Sequence, residues 1–207
     1  QDPNARALKE SDAYPAMAER GYGWEKLISE MFCQEYWAER QLKTAIARFH
    51  NVFGPFGTWD GGREKAPAAI CRKVIEAKDT GKHEITIWGD GHQTRSFMYI
   101  DDCVKGIDMI MHCDALIATP INLGSSELIA INTLVSLAEE IGGVTLERHY
   151  DLNAPRGVAG RNSDNTFIQQ VLGWEPKTPF RDGLAKTYAW IEQQYADRKA
   201  GKWTVQD

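Results

Sequence analysis

From Arg48 to Lys73 the chain reads R-F-H-N-V-F-G-P-F-G-T-W-D-G-G-R-E-K-A-P-A-A-I-C-R-K. Residues 44–52, leading into this stretch, are rich in β-branched, aromatic and apolar side chains and predict a strand. The strand breaks at Gly54-Pro55, since Pro offers no amide hydrogen to a sheet ladder. Gly57, Gly61 and Gly62 follow, where the backbone can take angles that side chains forbid and a ligand can come close to it. Arg63-Glu64-Lys65 ends the loop just ahead of Pro67, a residue well placed in a first helical turn. A strand that hands a lysine through a glycine-rich loop to a helix start suits a catalytic amine in an α/β fold. The same residues also read as a long surface loop with solvated charges.

Upstream, residues 18–40 repeat at helical spacing. Within them, Tyr22-Gly-Trp-Glu-Lys26 sets a phenol and an ammonium four residues apart, on one helix face. A nearby cation stabilises phenolate, so such a Tyr can take a proton from an alcohol. By itself the pattern equally describes an interface Tyr beside a solvated Lys. Downstream, the spacing predicts a helix to about residue 78, a strand at 85–88 and a tight turn at Gly89-Asp90-Gly91. Residues 93–100 read as a strand running into a helix over 101–112, with an Asp at its start as N-cap. A strand at 120–124, a helix at 131–141 and a strand at 144–150 follow, then a loop over 151–160. Arg161-Asn162-Ser163-Asp164 precedes a helix at 167–172, and a closing helix runs from 180 to about 198, ahead of a polar tail expected to fray. A basic residue at a helix N-terminus opposes the macrodipole, and a bound anion shared with the free amides would relieve this.

A net charge of −5 gives no basic field for nucleic acid, and no apolar run approaches the roughly 18 residues of a membrane span. Cys33, Cys71, Cys103 and Cys113 form no C-x-x-C pair and have no His at zinc-ligand spacing. They read as reduced, mostly buried thiols of a cytosolic protein, with no metal site. The 207 residues suffice for one domain, or for one and part of another. The start, Gln1-Asp2-Pro3-Asn4, is polar and unlike a signal peptide. No G-x-x-G-x-x-G turn, which a dinucleotide site needs for its pyrophosphate, occurs anywhere. These features predict the C-terminal part of a longer enzyme. Strands 44–52 and 120–124 would then belong to a parallel sheet, and alone would leave an apolar edge that aggregates or pairs with a neighbouring chain.

R-F-H-N-V-F-G-P resembles the strand end of the extended short-chain dehydrogenase/reductases that modify nucleotide sugars. The continuation G-T-W-D-G-G-R-E-K-A-P-A-A-I-C-R-K resembles the GDP-mannose 3,5-epimerases among them, and the likeness spans about residues 8–195. Tyr22 and Lys26 precede that strand in the family order, and W-G-D-G-H-Q-T-R-S-F at 88–97 resembles its nucleotide-sugar site. The resemblance implies an α/β fold, the C-terminal part of a Rossmann-type nucleotide-sugar epimerase: the end of a parallel sheet plus a small α/β substrate-binding domain. Residues 1–56 would complete the NAD-binding domain and 57–207 would form mainly the substrate domain, with 101–124 returning to the sheet. It implies NAD as cofactor, a GDP-sugar substrate and a cytoplasmic homodimer joined through the 18–40 helix.

Carried over by position, Tyr22 would exchange a proton with the sugar hydroxyl and Lys26 would bind the nicotinamide ribose. Lys65 would remove and return protons at C3 and C5, opposite a Cys that lies outside this chain. Asn51, Glu64, Lys65, Ala66, Lys73, Gln93, Thr94, Arg95 and Arg161 fall at substrate-contacting positions, Arg95 and Arg161 on the diphosphate, where a planar, permanently charged fork suits phosphate oxygens. The loop R-G-V-A-G-R at 156–161 is longer than in the family, so Arg156 and Arg161 both stay open as the second diphosphate ligand. Cys71 is a weaker candidate for the absent acid, since it follows Pro67 on the helix. Two other readings remain: a nucleotide-sugar 4-epimerase or 4,6-dehydratase, which would have no need of Lys65, and a non-catalytic piece that binds nucleotide sugar or dimerises.

Overall fold

The computed structural model describes residues 7–18, 20–154 and 160–202. Strand β1 (Ala7–Leu8) and a 3-10 turn lead to α1 (Tyr22–Arg40), β2 (Ile46–Phe49) and β3 (Val52–Phe53). Then come α2 (Ala66–Thr80), β4 (Glu84–Trp88), β5 (Thr94–Arg95), β6 (Met98–Tyr99) and α3 (Ile100–Met111). After β7 (Pro120–Leu123) and β8 (Ile129–Ala130), the chain continues through α4 (Ile131–Gly142), β9 (Glu147–Asp151), β10 (Asn162–Ser163), α5 (Thr166–Leu172) and α6 (Phe180–Lys199). The expected fraying tail beyond 202 and the 155–159 part of the expected loop, Arg156 included, lie outside the described residues.

The architecture is α/β, and its pairings are mostly parallel. β2 runs beside β7, from Ile46↔Pro120 to Phe49↔Leu123, and β4 beside β9, from Glu84↔Glu147 to Trp88↔Asp151. The strand expected over 44–52 is two strands with different partners, because β3 leaves β7 and pairs with β6 through Val52↔Met98 and Phe53↔Tyr99. The transfer happens at His50 and Asn51. The His50 amide still donates to Leu123 O (3.0 Å), while Asn51 O already accepts from the Met98 amide (2.8 Å). Gly124 makes room for it: a Cβ there would fall 2.6 Å from His50 Cγ. Among the described residues β2 and β7 have no further strand partner.

Helix boundaries follow local chemistry. Lys65 is the extended N-cap of α2 (φ −75°, ψ 157°), Pro lies in the first turn, and Gly81 closes the helix in the left-handed region (φ 70°). The helix expected from residue 101 starts at Ile100, and its N-cap is Tyr99, with no side-chain cap bond. That earlier start puts Asp101 and Asp102 inside the first turn, past the cap position, and Asp102 accepts the amides of Lys177 and Thr178 (3.1 and 2.7 Å), tying the turn before α6 to α3.

The buried faces gather into two clusters. One packs α2, α4 and α6 on β4 through Val74, Ile87, Leu134, Leu184 and Ile191, with Phe53, Phe97 and Phe180 in ring contact at one side. The other joins β7, α3 and α5 through Ile110, Ile121, Leu123 and Ile168. Each side chain of this size contributes about 1.5–3 kcal/mol by leaving water. In contrast, α1 buries none of its 19 residues.

Candidate active site

The N-terminus of α2, strand β4 and the 93–97 segment enclose a cavity of about 550 Å³. Its apolar floor includes Ile70, Ile87, Phe97 and Ile131, and its walls carry Lys65, Lys73 and Arg95. Asn51, Glu64, Ala66 and Gln93 line it as well. Residues quoted from three separate sequence motifs therefore meet in one cleft.

Each wall residue is held by its own element. Lys65 is exposed at the α2 cap, where its carbonyl accepts the Ala69 amide (3.0 Å) and leaves the ammonium to the cleft. Lys73, two turns on, donates from Nζ to Thr86 O on β4 (2.9 Å). Burial, and then the neighbouring Arg72 charge, lowers its pKa from the ordinary lysine value. Arg95 donates from Nη1 to Thr94 O (2.7 Å), and burial lowers its pKa too. Bringing cations into a part-buried cleft costs desolvation energy, which an anion there would offset.

The acceptors complement these cations. The Glu64 side chain is 7% exposed and pairs with Arg72 at 3.1 Å. Burial pushes its carboxyl up, but backbone amides at Glu64 and Gly62 together with Arg72 outweigh that and hold it below the usual range. Glu64 Oε2 and Gln93 Oε1 are buried without a hydrogen-bond partner among the described residues. Unpaired acceptors of this kind suit hydroxyl donors. Gln93 is fixed by its amide nitrogen on Trp88 O (2.7 Å), and Asn51 by its own on Ser96 O (3.3 Å).

Tyr22, Lys26 and Arg161 do not line this cleft. Tyr22 and Lys26 lie along a depression of about 600 Å³ between α1 and β2, beside Arg48. Lys26 Nζ stands 5.2 Å from the Tyr22 ring centroid and 3.1 Å from Glu25, so the pair shares a helix face as the spacing predicts. Arg161 faces an adjoining pocket of about 490 Å³ with Lys26, Glu30 and Arg48. Its backbone nevertheless comes close to the cleft, because Gly160 packs so tightly on Thr94 that a Cβ would lie 2.1 Å from Oγ1. Arg161 does not stand directly at the N-terminus of the following helix. Strand β10 separates Arg161 from α5, and the Thr166 amide is taken by Asp164 (2.9 Å). Cys71 is fully buried, and burial pushes its thiol up, which removes it as an acid for the cleft.

Two arginines that tie elements together around the candidate site escaped the sequence reading. Arg48 grips Glu30 with a two-pronged bond (2.9 and 2.7 Å) and reaches Glu10 O (2.8 Å). Glu30 follows Lys26 by four residues, which was the available signal. Arg72 contacts Asp60, Glu64 and Glu76 at 3.3, 3.1 and 2.9 Å, and only Glu76, one helical turn on, was readable as a partner. Among the described residues no His, Cys, Asp or Glu cluster could hold a metal, and no helix is long and apolar enough to cross a membrane.

The chain is similar to known proteins along most of its length. The chain is 45% identical to GDP-mannose 3,5-epimerase 1 of Oryza sativa subsp. indica over 93% of its own length and 49% of the relative's. It is 44% identical to GDP-mannose 3,5-epimerase of Arabidopsis thaliana over 94% of this chain and 50% of that one. The chain thus spans about half the length of the curated relatives it matches. In structure it resembles UDP-glucuronic acid 4-epimerase from Bacillus cereus in complex with UDP-glucuronic acid and NAD, with a TM-score of 0.74 and 28% identity, over 91% of this chain and 57% of that one. Residues 2–124 match the description of one family throughout, and the chain belongs to the NAD dependent epimerase/dehydratase family.

Proposed function

We propose that this chain is the substrate-holding part of a nucleotide-sugar epimerase acting on GDP-mannose, with exchange of protons at C3 and C5. The observation that carries the reading is the meeting of Lys65, Lys73 and Arg95 with the unpaired acceptors of Glu64 and Gln93 in one cavity. Cations that match a diphosphate, acceptors that match sugar hydroxyls, and an amine on a glycine-rich loop make one coherent site. Arg95 would hold the diphosphate, and Arg161 would serve as a second ligand to it, the Gly160–Thr94 contact bringing the backbone of the two segments together. Asn51, Ala66, Lys73, Gln93 and Thr94 would orient the sugar nucleotide.

NAD, when bound, supplies the acceptor that makes C4 a transient ketone and later restores the alcohol. Tyr22 and Lys26, which share one helix face with Nζ 5.2 Å from the ring centroid, would lie at its ribose end. No residue of this chain is assigned to its pyrophosphate. Tyr22 would take the C4 hydroxyl proton, and Lys65 would lift and return the protons that the neighbouring ketone acidifies. Since C3 and C5 are both bonded to C4, this reading requires Tyr22 and Lys65 to reach the same sugar ring, held where the Lys65 cleft and the Tyr22 depression meet. The division into residues 1–56 with 101–124 and a substrate domain, and a cytoplasmic setting, belong to the same proposal.

Titration calorimetry on the full-length protein tests the reading. GDP-mannose is expected to bind at one site, and Arg95→Ala to weaken it by about 10- to 100-fold, the scale of a charge-assisted hydrogen bond. Equal affinity in the variant would remove Arg95 from the diphosphate.

For α1 we propose a second copy of the protein as partner. Trp24, Ile28, Met31, Phe32 and Tyr36 are exposed along this helix, a contiguous apolar strip of the kind that marks interfaces. Phe32→Glu is expected to convert a sedimenting dimer to monomer. A wild-type monomer at micromolar concentration would refute the partner.

A further inference from the structure

The loop that delivers Lys65 has little backbone support. Phe56, Gly61 and Gly62 have φ of 66°, 89° and 82°, in the left-handed region, and a Cβ at either Gly61 or Gly62 would meet nothing within 4 Å. Side chains at its flanks hold it instead. Trp59 is fully buried, and the guanidinium carbon of Arg198, in the last turn of α6, stands 4.1 Å from its ring centroid. Arg198 Nη1 also donates to Asp60 Oδ2 (2.7 Å). The other Asp60 oxygen accepts the Gly61 amide (2.7 Å) and lies 3.3 Å from Arg72 Nε. Beyond the glycines, Glu64 is bound by the same Arg72 guanidinium at 3.1 Å. A second α6 contact, Trp190 on the Phe56 ring (5.6 Å), supports the entry to the loop.

Arg72 and Arg198 thus clamp the two sides of the Gly61-Gly62 hinge, and the outer jaw comes from the far end of the chain. We infer that Arg198 is a positioning residue for Lys65: through Trp59 and Asp60 it fixes the loop so that the lysine ammonium stays in the cleft. Arg198 does not line the cavity, so it acts only through the loop. The consequence for turnover rests on Lys65 being the acting amine, as proposed above, whereas the consequence for the loop does not.

Trypsin reads the loop directly, because Arg63 and Lys65 are exposed cleavage sites within it. In the full-length protein, Arg198→Met keeps the alkyl stem and removes the fork, while Arg198→Lys keeps the charge. Cleavage after Arg63 and Lys65 is expected to accelerate about tenfold in Arg198→Met, relative to sites such as Lys43 and Lys82 in the same digest. Arg198→Lys is expected to recover most of the protection. The kcat on GDP-mannose is expected to fall in Arg198→Met while KM stays within about twofold. Unchanged cleavage at Arg63 and Lys65, or equal acceleration at every site, would overturn the inference. Selective loop cleavage in a protein with no turnover on GDP-mannose would uphold the clamp and refute the activity.

Discussion

Lys65→Ala in the full-length protein is expected to lower proton exchange at C3 and C5 of GDP-mannose by about 100- to 10,000-fold, the usual contribution of a positioned acid–base group. Deuterium uptake from D2O, followed by NMR at each carbon, measures this without relying on product separation. Affinity for GDP-mannose should change far less than exchange, because Lys73 and Arg95 remain to hold the anion. The variant also separates the two enzymatic readings. A 4-epimerase needs a hydride acceptor and the Tyr22 proton but no chemistry at C3 or C5, so it would lose little activity. Retained exchange at C3 and C5 would remove Lys65 from the mechanism and the 3,5-epimerase assignment with it. Loss at only one of the two carbons would mean that a second group serves the other.

Arg72→Met is expected to cost about 3–5 kcal/mol of stability, the usual result of stripping one partner from a buried ion pair. Arg72 is 16% exposed and Glu64 7%, so the abandoned Glu64 carboxylate would keep little hydration. Asp60 would retain Arg198 and the Gly61 amide, which confines most of the damage to Glu64. The acid dependence follows from the carboxylates. Burial alone would raise Asp60 and Glu64, but their hydrogen bonds and cations win and hold both below the ordinary carboxylate value. A carboxyl depressed by folding adds stability above its unfolded pKa, about 4, and loses it as pH falls through the folded value. Wild type and variant should therefore differ most near neutrality, begin to approach each other as pH falls below about 4, and meet only below the depressed folded values. Calorimetric melting at both pH values checks this. A gap that persists unchanged in acid would show that Arg72 contributes packing, and not charge.

The loop that carries Lys65 was legible because its signals are local. Pro67 two residues past Lys65 fixes where α2 begins, and Gly81 fixes where it ends, so the amine's place at a helix cap could be read from the chain. The burial of Ile70, Val74 and Ala77 on one helical stripe follows from the same periodicity. Partner choice was not legible. Nothing between Thr44 and Val52 announces that the strand changes neighbour at His50, because the competing edges, β6 and β7, lie tens of residues away. An Asp at the start of α3 looked like a cap because caps are read within one turn, whereas Asp101 and Asp102 both lie inside the first turn and Asp102 accepts the distant amides of Lys177 and Thr178. The short strand β10 just after Arg161 was hidden for a related reason: it forms by pairing with β1 at the other end of the chain.

The handover at His50 and Asn51 has a mechanical consequence. β2 and β3 are consecutive, yet one is stitched into the layer that carries α3 and the other runs on toward the wall of the cleft. A slip of the first ladder by a fraction of an ångström has no slack in which to dissipate, since only two residues span the gap. Asn51, whose carbonyl holds the Met98 amide and which also lines the cavity, thereby couples the β2–β7 ladder to the cleft wall.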